Sequence, residues 1–122
     1  MKIRIKGNSL RIRLSKSEVN LLATAGYIEE RTDFVNKTLF YAVESTTGDT
    51  MTADFNGEKV IMYIPENLLK EWAFSDQVSL EHQMDINKNH ALQMLLEKDF
   101  KCIDADSNED QSDYFENPLK SC

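Results

Sequence analysis

The chain is 122 residues long, 41% hydrophobic and 29% charged, the balance of a single globular domain. Its net charge of −7 argues against a general affinity for nucleic acid, whose phosphates would repel it. The longest apolar runs, Val60 to Ile64 among them, are far too short to span a bilayer, so no membrane contact is expected.

Met1 is followed at once by alternating charges, which predicts no signal peptide, a cytoplasmic location and reduced thiols. Charge is unevenly placed along the chain. Lys2, Arg4, Lys6, Arg11 and Arg13 open it with no acid among them. Asp104, Asp106, Glu109, Asp110, Asp113 and Glu116 crowd its end against Lys101 and Lys120.

Lys2–Lys6 and Leu10–Leu14 both alternate, with Ile3, Ile5, Leu10, Ile12 and Leu14 on one face and the cations on the other. Gly7-Asn8 between them predicts a β-hairpin. Ser15 and Glu18 have the spacing of a capping box, and Val19, Leu22 and Ala23 recur at helical spacing until Gly26, so a helix is expected over 16–25. Ile28–Phe34, Leu39–Val43, Met51–Phe55 and Val60–Ile64 read as strands. Asn56-Gly57 is the strongest turn signal, and Val60–Ile64, apolar on both faces, predicts a central strand. Pro65 opens a second short helix, to about residue 73, that buries Leu68, Leu69 and Trp72. Val78–Ile86 and Leu92–Leu96 are the last strands, with His82 pointing with the apolar set and Leu95 against it.

These elements predict an α+β fold in the order ββ-α-ββββ-α-ββ, mainly antiparallel, with about eight short strands and two short helices. Either a curled half-barrel or two layers suits the pattern. No internal repeat is apparent. The expected division is a single domain over 1–103 and an acidic tail over 104–122 packed back on it. Tyr114 and Phe115 set this tail apart from an unstructured acidic one, since disordered acidic segments are poor in aromatics. The expectation is a clasp formed by Glu109, Asp110, Asp113, Tyr114 and Phe115 over the first hairpin, with its acids beside Arg11 and Arg13. Cys102 should be buried and Cys122 exposed.

The opening Met1-Lys-Ile-Arg-Ile-Lys-Gly-Asn-Ser with Arg11-Ile-Arg13-Leu14, and the end Glu97-Lys-Asp-Phe-Lys-Cys102 followed by Glu109-Asp110, Asp113 and Asn117-Pro118, resemble a family of small bacterial proteins of unknown function. The resemblance covers nearly the whole chain and implies no activity, cofactor or substrate.

No glycine-rich phosphate loop is present, and two histidines support no nucleophile–base set. The first functional reading is a non-enzymatic interaction or structural protein that self-associates as a homodimer through a sheet edge. The alternative is a binding module for a small, phosphate-bearing anion at Arg4, Arg11, Arg13 and Lys98. A metal-dependent hydrolase at Cys102, Glu109, Asp110 and Asp113 ranks third, because hard carboxylates and a soft thiolate suit different ions. No cofactor is implied.

Overall fold

A computed structural model describes residues 1–101 and 111–116. Cys102, Glu109, Asp110 and Cys122 lie outside the described residues. The elements run β1 (Lys2–Lys6), β2 (Ser9–Leu14), α1 (Lys16–Ala25), β3 (Tyr27–Asp33), β4 (Thr38–Thr46), β5 (Thr52–Asn56), β6 (Lys59–Pro65), α2 (Glu66–Ala73), β7 (Ser79–Asn87) and β8 (His90–Lys98). The order matches the sequence pattern. The strands form two four-stranded sheets, β1-β2-β8-β7 and β3-β4-β6-β5, and neither closes into a barrel.

The expectation of a mainly antiparallel sheet holds for four of the six strand pairings, but both sheets are mixed. Each hairpin is antiparallel, as local pairing dictates, but the central contacts β2–β8 and β4–β6 are parallel. No single helix makes the crossover between parallel partners. From β2 the chain leaves for the second sheet, builds all of it, and returns to lay β8 beside β2.

This path conceals an internal repeat that residue order alone does not reveal. Leu10, Ile12, Leu14, Val19 and Leu22 recur fifty positions on as Val60, Met62, Ile64, Leu69 and Trp72. Gly7 and Gly57 share the same spacing and the same left-handed backbone, with φ of 55° and 57°. Each begins a two-residue turn, so the second hairpin turns at Gly57-Glu58, one residue later than the Asn56-Gly57 signal implies. Two β-β-α-β-β halves result. Exchanging them maps one sheet onto the other, strand for strand: Ile12 pairs with Leu96 as Met62 pairs with Val43, and Leu80 with Leu96 as Ile28 with Val43.

The inner faces of both sheets and the buried stripes of both helices make one core. Ile12, Leu14, Leu22, Met62, Ile64, Leu69, Trp72 and Leu96 lie at its centre. Ser15 caps α1 as its spacing predicts, and Gly26 ends it at φ 81°. Pro65 sits at the N-cap of α2, not inside it. Trp72 is fully buried and its indole N–H donates to the Val78 carbonyl at 3.1 Å, which satisfies the one polar atom it takes into the core. Among the described residues no helix is long and apolar enough to cross a membrane.

Candidate functional site

The outer face of the first sheet is where the fold gathers the N-terminal cations. Register sets them in rows that cross all four strands. One row runs Arg4, Arg11, Leu95, Glu81; its neighbours run Lys6, Ser9, Gln93, Gln83 and Lys2, Arg13, Glu97, Ser79. Strand alternation forces this arrangement: Ile3, Leu10 and Ile12 turn to the core side, Ile5 shares that side but stays exposed near the turn, and every cation between them turns out.

A groove of about 580 Å³ lies across the first two rows, lined among others by Arg4, Lys6, Arg11, Glu81, Gln83 and Gln93. A hollow of about 190 Å³ adjoins it and brings Arg13 to Arg4 and Arg11. Glu97 ties down two of the arginines. Its carboxylate accepts from Arg13 Nε in a short contact and lies 3.4 Å from Arg11 Nε. Both guanidinium groups are thus held by their inner edge. Arg4 and Lys6 have no ion-pair partner among the described residues, and the side chains of Glu81, Gln83 and Gln93 make no hydrogen bond there.

Lys98 belongs elsewhere. It points to the core side of β8, opposite Leu14, and is buried. Its ammonium donates to the Ser75 carbonyl at 2.7 Å and lies 5.6 Å from the Trp72 ring and 5.3 Å from the Phe115 ring. Burial pulls its pKa down, and the nearby Asp76 carboxylate opposes that. The three arginines therefore come together and Lys98 does not join them.

The described part of the tail meets the domain at a different place from the one expected. The Asp113 carbonyl accepts from the Lys16 amide at 2.8 Å, and its carboxylate accepts from the Ser17 amide at 3.2 Å and from the Ser17 hydroxyl. Asp113 therefore serves the N-terminus of α1, where orphan amides and the helix dipole favour an anion. These bonds, the hydroxyl's first, hold its carboxyl below the usual aspartate range. Phe115 packs on the core and on Phe100, with ring centroids 5.9 Å apart. Tyr114 lies under the Lys2 ammonium at 4.6 Å, so the tail touches the basic face at its helix-proximal corner. Arg11 and Arg13 face Glu97 instead of Asp113.

The second sheet is an internal control for the first. The positions equivalent to Lys2, Arg4, Lys6, Arg11 and Arg13 hold Thr52, Asp54, Asn56, Ile61 and Tyr63. One scaffold is thus built twice, once with five cations and once with none at those positions. The cations the second face does carry among the described residues are paired: the Lys59 ammonium lies 2.6 Å from Glu29 and 3.1 Å from the Tyr27 hydroxyl, which raises its pKa, and Arg31, in the same row, lies 3.5 Å from Asp33.

Reading from sequence misses Glu81, Gln83, Gln93 and Leu95 as part of this face. The signal is there in the alternation of Val78–Ile86 and in Leu95 breaking phase with Leu92, Met94 and Leu96. It acquires meaning only when β8 is laid beside β2. No curated protein matches the chain, and no solved structure does. A model for a family of unknown function matches residues 1–119, and the chain belongs to that family, DUF7009.

Proposed function

We propose that the outer face of the β1-β2-β8-β7 sheet binds a small phosphate-bearing anion. The observation that carries this reading is the comparison of the two sheets. The fold is satisfied by Thr, Asp, Asn, Ile and Tyr at the positions where the first sheet has Lys, Arg, Lys, Arg and Arg. Packing therefore does not call for the cations. Arg4 and Lys6, close together and without partners among the described residues, repel one another and Arg11, and a bound anion relieves that repulsion. The three arginines suit phosphate because a guanidinium offers a planar pair of donors to two phosphate oxygens. Titration calorimetry with pyrophosphate is the test. Binding should weaken as salt rises. Arg4→Ser with Lys6→Ser should weaken it at least ~10-fold, about 1.4 kcal/mol, while the melting temperature barely moves, because exposed positions change stability by about 0.5 kcal/mol or less. Unaltered affinity in the double variant defeats the proposal.

Self-association is a second reading, and one observation favours it. Ile5, Phe34, Val35, Phe55 and Ile86 are all exposed, and all lie in or beside hairpin turns. The strands β1, β7, β3 and β5 are sheet edges. Uncovered edges and exposed apolar side chains are what a homodimer interface removes from water. Light scattering should give twice the 14.1 kDa chain mass. A monomer mass across a wide concentration range removes this reading.

A further inference from the structure

The groove has two chemically different ends, and that difference selects among anions. Cations stand only over β1 and β2: Arg4 and Lys6 on the edge strand, Arg11 beside them. The far side, on β7, carries Glu81 and Gln83, and Gln93 lies between. An ionised carboxylate only accepts hydrogen bonds, so Glu81 asks for a donor and repels a second phosphate. Leu95 sits between Arg11 and Glu81, half-buried, as the apolar floor of the middle. Neighbouring strands are about 4.8 Å apart, so the cationic and accepting ends are separated by roughly 10–14 Å.

A bare phosphate fills only one end of such a groove. A long polyanion would drive negative charge onto Glu81. We infer that the groove takes a phosphate ester with a flat apolar middle and a hydrogen-bond donor at its far end, the chemistry of a nucleoside diphosphate with an amino-bearing base. The phosphates would lie on Arg4, Lys6 and Arg11, the base over Leu95 and against the Arg11 guanidinium plane, and its amino group toward Glu81 and Gln83. Arg11 suits the middle position because a guanidinium stacks on a ring while its edge bonds an anion. Glu97 holds that guanidinium from the helix-proximal side. This inference rests on the anion-binding reading above and adds the identity of the ligand's other end.

The experiment titrates the whole chain with three probes: pyrophosphate, adenosine diphosphate, and the diphosphate of purine riboside, which lacks the amino group. Adenosine diphosphate should bind at least ~10-fold tighter than pyrophosphate, the measure of one added hydrogen bond to a charged group plus contact with Leu95. Purine riboside diphosphate should lose most of that gain. Glu81→Ala, at an exposed position where folding is not at stake, should erase the preference for the amino-bearing base and leave pyrophosphate binding equal or stronger, since a like charge is gone. Pyrophosphate binding with no gain from adenosine diphosphate overturns the two-ended groove and leaves the anion site standing. A preference that survives Glu81→Ala unchanged also overturns it. No binding of any probe defeats the anion site itself, and the inference with it.

Discussion

Lys98 and Phe115 show how single side chains tie the tail to the core. Leu14 and Lys98 pair across β2 and β8, where the second sheet has Ile64 and Ser45. A buried ammonium needs partners, and Lys98 has a carbonyl and two ring faces. One of those rings, Phe115, comes from the tail. Phe115→Ala therefore removes apolar burial and uncovers a charge at once. It should cost about 2 kcal/mol in denaturant unfolding, less than the 3–5 kcal/mol of a fully buried ring because Phe115 is only partly buried. Asp113→Asn should cost less, and its effect alone should fade as salt rises. Asp113 also gives the tail a pH dependence. Its pKa is held below the ordinary value of 3.8, so the carboxylate's contribution to docking is intact above that pH and is lost as pH falls through the lower folded value. Amide shifts of Lys16 and Ser17 should report this acid transition, and it should vanish in Asp113→Asn. Unchanged stability in Phe115→Ala would mean that the tail only rests on the surface.

The local elements are legible in the sequence because local rules make them. The capping box at Ser15 and Glu18 and the glycine at 26 bound α1 where their spacing says. Gly7 and Gly57 begin two hairpins because each supplies a positive φ that residues with a Cβ disfavour. Alternation assigns each cation of the first hairpin to the outer face. The pairing of elements is not legible. Gln93 lies beside Ser9 and Glu97 beside Arg13, contacts between opposite ends of the chain. No turn or spacing encodes them. They follow from burying two sheets and two helices in one core. The repeat escapes notice for a related reason. Its equivalent residues share size and polarity rather than identity: Trp72 stands where Leu22 does, and Met62 where Ile12 does. Half of the candidate site depends on this unread link. Arg4 and Arg11 are visible from the hairpin, whereas Glu81, Gln83 and Leu95 join them only through the parallel β2–β8 contact.

At the scale of the whole molecule the two halves are interleaved instead of being stacked as separate units. The first half, residues 1–49, gives β1-β2 to one sheet and β3-β4 to the other; the second half completes both. Neither half owns a sheet of its own. Alone, each would hold two separate two-stranded hairpins and one helix, and an isolated hairpin is marginal in water. Its inner strands would also lose their parallel partners, with Ile12 parted from Leu96 and Val43 from Met62. Fragments 1–49 and 50–122 should therefore show no cooperative thermal transition as separate monomers. Mixed in equal amounts, they should regain one, together with the far-ultraviolet circular dichroism of the intact chain. Pairing of a half with its own copy is open to the second half more than to the first. Two copies of the first would place Arg4, Arg11 and Arg13 on both outer faces, and their charges would oppose assembly unless phosphate were added. Phosphate should then promote association of 1–49 and leave 50–122 unaffected. Cooperative melting of monomeric 1–49 would contradict the interleaved fold, and phosphate-driven association of both halves alike would deny the first half its special anion affinity.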